Sequence, residues 1–259
     1  MRRPIAIALA CLVAGKLCLG AAPDASLFSY EERPGTLLPR QLVFHDSTDH
    51  AVRLDGLSGN LPLILVPGYF HCPNLCGLVR ASLLNALRSA HLEPGRDYSL
   101  AVLSIDPTET ISDARAAKWR DANAFGTPGK EPDWHYLTGA RSDIQAVANA
   151  IGFRDRLDSA TKQFIHPAGI VFVTPAGVIS SYLLGVGYTP AAVRSALERA
   201  GAGNIVAASS PILLICFHFD PSTGRYSLEI MKVIRLAGML TVLVIGGMLF
   251  LLRRREKHP

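Results

Sequence analysis

The tightest constraint on this chain lies where an apolar run gives way to a helical repeat. Residues 61–66 are compact and apolar, and Pro67-Gly68 follows them. Such a run reads as a buried strand, with the Pro-Gly pair as its stop. Cys72-Pro73-Asn74-Leu75-Cys76 comes directly after, and the period then changes: Leu75, Val79, Leu83 and Leu87 recur at every fourth position, with Leu84 beside them. That is one apolar face of a helix, which Glu93-Pro94-Gly95 stops. The chain therefore has to build a strand that feeds a helix through a short loop carrying two thiols. Open α/β sheets place their chemistry at such carboxyl ends of strands.

The same alternation continues along the chain. Leu42-Val43-Phe44 reads as a short strand and residues 46–59 as a turn-rich segment. Residues 99–104 form the next strand, and Asp106-Pro107-Thr108-Glu109-Thr110 a loop into a helix through 114–119. After a break at 126–132, residues 134–137 are a strand. Ser142 can cap a helix over 143–151, with Gly152 as its stop. A loop over 153–165 leads to His166-Pro167. Residues 170–173 and 178–184 read as a hairpin around Pro175-Ala176-Gly177. Thr189 and Pro190 are placed as cap and first-turn proline of a last helix ending at Gly201. Strands alternating with helices imply a sheet with helices on both faces, and a closing hairpin before the final helix is the thioredoxin-like arrangement. The expected fold class is α/β: a thioredoxin-like central sheet with flanking helices, plus a C-terminal transmembrane helix.

The two ends carry the excess of apolar residues behind a mean hydropathy of +0.25. Met1-Arg2-Arg3, an apolar stretch over 5–19 and Gly20-Ala21-Ala22 have the form of a secretory signal, cut near Ala22 or kept as an N-terminal anchor. Residues 236–252 hold no charge, Lys232 and Arg235 precede them, and Arg253-Arg254-Arg255-Glu256-Lys257 follows. That pattern predicts a membrane span with the basic cluster left in the cytoplasm. The expected domain plan is a signal over 1–22, a lead-in linker over 23–40 and a thioredoxin-like domain over 41–203. A juxtamembrane segment over 204–232, a transmembrane helix over 233–252 and a basic cytoplasmic tail over 253–259 complete it. The protein is then expected in the cell membrane, with its main domain on the periplasmic or extracytoplasmic side. The formal net charge of +5 owes much to these flanks. No basic stripe interleaved with aromatics runs through the body, which argues against nucleic acid as a partner.

Of five cysteines, Cys11 and Cys18 fall in the signal, leaving Cys72, Cys76 and Cys216. An odd number argues against a disulfide-stapled framework and for a working dithiol plus a lone cysteine. Cys72 and Cys76 are spaced i and i+4. If the helix begins near Pro73, both sulfurs approach one point at its N-terminus, where unpaired N–H groups and the dipole favour thiolate. That spacing permits a disulfide. It also permits two thiolates on one metal, with His166 as third ligand. Two soft sulfurs and an imidazole suit Cu(I), and a rearranged set can hold Cu(II). Zinc could use the same three ligands and water. His71, beside Cys72, is an alternative ligand. Cys216 and His218 would share one face of a short strand, as a buried cysteine, a secondary copper contact or a docking segment. His45, His50, His91 and His135 read as surface or packing residues.

These segments together resemble the SCO/SenC family, the copper-handling proteins of cytochrome c oxidase assembly. The resemblance is carried by Tyr69-Phe70-His71-Cys72-Pro73-Asn74-Leu75-Cys76, by Leu103-Ser104-Ile105-Asp106-Pro107 with Thr110, by Trp134-His135-Tyr136-Leu137-Thr138-Gly139, and by His166 with Gly177. It spans roughly residues 40–200. Gly77 stands where the family usually has proline. The resemblance implies copper as the cofactor, with Cys72, Cys76 and His166 as its ligands and Asp106 as a nearby acid that orients or tunes the site. It implies as partners the copper-centre subunit of a terminal oxidase and a periplasmic copper donor or thiol reductant.

Two functions follow. One is a metallochaperone that carries copper and has no turnover, its cysteines serving as both ligands and redox switch. The other is a thiol–disulfide oxidoreductase that keeps the cysteines of a metal-site partner reduced, with Cys72 attacking and Cys76 resolving.

Overall fold

The computed structural model describes residues 30–73, 75–127, 134–159, 161–208, 219–220, 225–226 and 236–248. In chain order its elements begin with β1 (Val43–His45), β2 (Ala51–Arg53), β3 (Leu63–Gly68), α1 (Leu75–Ser89), β4 (Ser99–Ser104), α2 (Ile111–Phe125), β5 (Trp134–Leu137) and α3 (Arg141–Ala150). There follow β6 (Arg156–Leu157), β7 (Phe164–Ile165), β8 (Gly169–Val173), β9 (Ile179–Leu184) and α4 (Pro190–Gly201). Two short strands, β10 (Phe219–Asp220) and β11 (Arg225–Tyr226), pair antiparallel.

Five strands make the central sheet, in the order β5-β4-β3-β8-β9. β3, β4 and β5 run parallel, β8 lies antiparallel against β3, and β9 antiparallel against β8. This is the expected thioredoxin-like sheet, with the strand ahead of the cysteines at its centre. β3, β4 and β8 are buried at every residue, as strands covered on both faces are. The alternation of side chains splits the core in two. Ile64, Val66, Leu100 and Val102 pack with Val79 and Leu83 of α1, Ala114 and Ala117 of α2, and Val193 and Leu197 of α4. Leu63, Leu65, Ala101 and Leu103 pack with Phe44 and with Ile144 and Val147 of α3.

Pro67-Gly68 does not stop β3 as expected. Both residues stay paired with β4, Pro67 opposite Leu103 and Gly68 opposite Ser104. Pro62 accepts from the Ser99 N–H of β4 and Gly68 from the Ile105 N–H just past its end, so the even-numbered positions of β3 point their polar groups at β4 and the odd-numbered ones at β8. Pro67 therefore faces β8. The β3–β8 ladder runs only through Leu63–Val173 to Leu65–Val171. Its next hydrogen-bonded pair would be Pro67 with Gly169, and proline has no N–H to give. The Gly169 carbonyl is reached instead by the Tyr30 hydroxyl at 3.4 Å.

Smaller differences are local. The turn-rich 46–59 segment contains β2, which pairs with β1. Ser142 is not a cap: α3 starts after Ala140 without a side-chain cap, and the Ser142 hydroxyl meets Asp143. The 153–165 loop holds a hairpin of β6 and β7. Residues from Tyr30 onward in the lead-in lie on the domain, through bridges from Tyr30 to Phe153 and from Leu37 to Val178. Thr189 caps α4 as its Thr-Pro signal predicts.

The membrane expectation is corrected. Among the described residues, no helix is long and apolar enough to cross a membrane. In the C-terminal apolar run the described residues are 236–248, all helical, fewer than the roughly 20 that a span needs. An apolar run reports a preference for leaving water and not the length of a helix. The transmembrane helix over 233–252 is accordingly withdrawn from the fold class. With it goes the placement in the cell membrane with the domain on a periplasmic or extracytoplasmic side. The signal at 1–22, Cys216, His218 and the basic tail at 253–259 lie outside the described residues.

Gly152 ties the N-terminal strap to the site loop. Its φ is +64°, its carbonyl accepts from the Glu31 N–H at 2.8 Å, and a Cβ there would fall 1.8 Å from the Glu31 carbonyl oxygen. Gly152→Ala should therefore cost more than about 1 kcal/mol of stability, read as a fall in the urea midpoint. An unchanged midpoint would show that the strap adds nothing to the fold.

Candidate metal centre

Beyond Leu65 and Val171, β3 and β8 part, and the fork between them is the site. Pro67, Gly68, Cys76, Arg80, His166 and Gly169 are among the residues lining it. Cys76 sits in the first turn of α1 and is buried, with Cys72 half-buried in the loop before it. His166 arrives between β7 and β8, ninety positions on, with Nε2 3.1 Å from the Cys76 Sγ. Its Nδ1 lies 3.0 Å from the Pro167 carbonyl oxygen. A carbonyl only accepts, so Nδ1 carries the proton and Nε2 turns a lone pair toward the thiols. The ring is held by Tyr69, edge-on at 5.8 Å between centroids, and by Phe153 at 5.6 Å.

One donor atom from each of Cys72, Cys76 and His166 can be chosen so that all three lie within 4.8 Å of one another. The three residues singled out in the sequence thus converge. Two thiols and an imidazole lone pair form a soft donor set suited to copper. A closed zinc site takes four protein ligands, and among the described residues no further Cys, His, Asp or Glu joins this group.

The two thiols differ in character. Cys76 is pushed well above the ordinary cysteine range, first by its hydrogen bond to Cys72, then by burial and by charge on Cys72. A backbone contact from Tyr69 and the charge of Arg80 pull the other way without offsetting this. The Tyr69 phenol is raised too, by burial first and then by its hydrogen bond to Cys72. Asp155 is raised by burial, with His166 opposing.

Other acids and bases near the fork take roles that the sequence pattern does not mark. The Asp106 carboxylate accepts from the Thr108 N–H and hydroxyl, closing the Asp-Pro turn. Three residues on, Glu109 reaches the cysteine loop: its carboxylate accepts from the Phe70 and His71 N–H groups at 2.8 and 2.7 Å. His71 is largely exposed, its ring nitrogens facing Glu109 and Asp113 on opposite sides rather than the fork. Arg80, one turn after Cys76, is buried with Nε 2.7 Å from Asp121, and the Tyr136 hydroxyl donates to the same oxygen. Burial alone would lower Arg80, but Asp121 and Tyr136 more than offset it. An arginine on the apolar face of α1 was the one available sequence signal for that pair. Glu109 gave none, standing just ahead of the Thr110–Asp113 capping box.

No family model matches the chain, and no curated relative does. Among solved structures, a candidate electron transfer protein from Aquifex aeolicus VF5 is 30% identical, with a TM-score of 0.57, and the match covers 66% of this chain and 96% of that one. A SCO1/SenC family lipoprotein from Bacillus anthracis str. Ames is 14% identical with a TM-score of 0.53, over 66% of this chain and 99% of that one. Arabidopsis thaliana ScoI with copper bound is 16% identical with a TM-score of 0.52, over the same shares. The chain thus belongs to one family with the Aquifex protein and shares the thioredoxin-like fold of the SCO1/SenC lipoprotein and of Arabidopsis ScoI.

The asymmetry of the thiols is directly measurable. In the reduced, metal-free protein at pH 8, iodoacetamide should label Cys72 at least about tenfold faster than Cys76, because thiolate is the reactive form. Since the Cys76 pKa is raised, its labelling should climb only as the pH rises above the ordinary thiol range. Mass spectrometry of the two alkylated sites reads this, and equal rates at pH 8 would contradict the asymmetry.

Proposed function

We propose that this chain is a copper metallochaperone. It binds Cu(I), and in a rearranged set Cu(II), through Cys72, Cys76 and His166, and delivers copper to the copper centre of cytochrome c oxidase during assembly. The observation that carries this reading is the convergence of two thiols and an oriented imidazole lone pair within 4.8 Å. The fold it shares with SCO/SenC structures supports it, one of which holds copper. Cys72, half-buried, suits exchange with a donor or acceptor, while Cys76 is buried. Asp106 is retained only as a nearby acid of the site's loop.

The test is anaerobic competition for Cu(I) against a chromophoric chelator, using the reduced protein. One tightly held copper per chain is expected, with the affinity lowered by more than about tenfold in His166→Ala, a loss at least as large as that from removing an outer-shell partner. Each cysteine replaced by serine should abolish tight binding. Weak binding indifferent to His166 would sink the three-ligand site.

A second reading is favoured by the burial difference between the cysteines: a thiol–disulfide oxidoreductase in which Cys72 attacks and Cys76 resolves. It separates cleanly from the first, because His166→Ala should then reduce a partner disulfide as fast as the parent protein does.

A further inference from the structure

Glu109 carries more structure than any other carboxylate near the fork. Its side chain is 3% exposed. Oε2 accepts from the Phe70 N–H at 2.8 Å and the Ser104 hydroxyl at 2.6 Å. Oε1 accepts from the His71 N–H at 2.7 Å and lies 3.1 Å from His71 Nδ1. A buried carboxylate is costly unless hydrogen bonds satisfy its oxygens, and here the bonds tie three places together. Ser104 is the last residue of β4, Phe70 and His71 are the two residues before Cys72, and Glu109 itself directly precedes the Thr110 cap of α2. Asp113 of the same cap also faces His71 Nε2 at 3.4 Å.

The three metal-binding side chains are not held alike. Cys76 is fixed by a helix. His166 is fixed by the Pro167 carbonyl and two aromatic rings. Cys72 stands in irregular chain between β3 and α1, where no ladder sets the backbone. We propose that Glu109 is the positioning residue of this centre, holding the Phe70–His71 backbone so that the Cys72 sulfur stays opposite Cys76 and His166. The proposal rests on the copper reading for its metal readout, and on the dithiol alone for a second one.

Glu109→Gln keeps the shape but, in either orientation, turns an amide NH2 against a backbone N–H of Phe70 or His71, which can only donate. In the folded variant, the Kd for Cu(I) should rise roughly 10–100-fold, as removal of an outer-shell partner does. The Cys72–Cys76 disulfide, equilibrated against a dithiol buffer without metal, should become several-fold easier to reduce, because the two sulfurs lose effective concentration. Circular dichroism defines the folded fraction, so a merely structural role would appear as lost stability with both constants unchanged. That result would overturn the proposal. If the parent protein holds no copper, the copper reading fails and the disulfide equilibrium alone decides Glu109. If Glu109→Gln does not fold, Ser104→Ala, which removes the hydroxyl that donates to Glu109 and accepts from the Asp106 N–H, should shift the constants in the same direction by less; no shift would overturn the assignment.

Discussion

One missing N–H governs the architecture of this site. Pro67 keeps its place beside β4 but cannot continue the ladder with β8. The central strand is therefore held on both edges for three residues and on one edge for the rest. The strands part at that point, and Cys76 and His166 stand in the gap. A fully paired β3 and β8 would set Pro67 and Gly169 shoulder to shoulder and close the space that Cys76 and His166 share. The antiparallel direction of β8 matters equally, since it returns the chain to the carboxyl end of β3 and brings together residues ninety positions apart.

Much of this was legible in the sequence because it rests on periodicity and on residues with few alternatives. The β4 and β5 bounds, the apolar face of α1 and the Thr189-Pro190 start of α4 follow from alternation, helical repeat and cap chemistry. Cys72, Cys76 and His166 were legible because thiols are scarce in the body and the family pattern joins them. Pro67 misled because its usual meaning is a stop, and which edge of a strand a proline offends depends on register, which a sequence does not display. Glu109 was invisible for a different reason: its partners are backbone N–H groups, which any residue supplies, so no side-chain pattern announces them. The apolar C-terminal run misled because hydropathy measures composition and not the extent of a helix.

The domain also separates the tasks of holding and exposing. The deep part of the fork is braced by Arg80, Asp121 and Tyr136, a buried cation and its acid shared between α1, α2 and β5. Breaking such a pair by removing one member typically costs about 3–5 kcal/mol, so the wall behind Cys76 is a stiff one. The shallow part is a loop whose backbone is gripped by one carboxylate from the neighbouring βα connection. Rigidity at the base and the carboxylate's grip on the loop leave the outer thiol within reach while the inner one stays covered.

The hydrogen bond from His166 Nδ1 to the carbonyl of its own neighbour, Pro167, has a consequence of its own. The tautomer of the imidazole is set within two consecutive residues, while Tyr69 and Phe153 hold the ring. Beyond Val171 no ladder bond joins that segment to β3. The bond that keeps the Nε2 lone pair free thus rides on the same segment as the ring: if the segment moves, the tautomer moves with it. A donor mounted in this manner keeps its lone pair whether or not it faces the thiols, and the sheet beneath it keeps every bond it has.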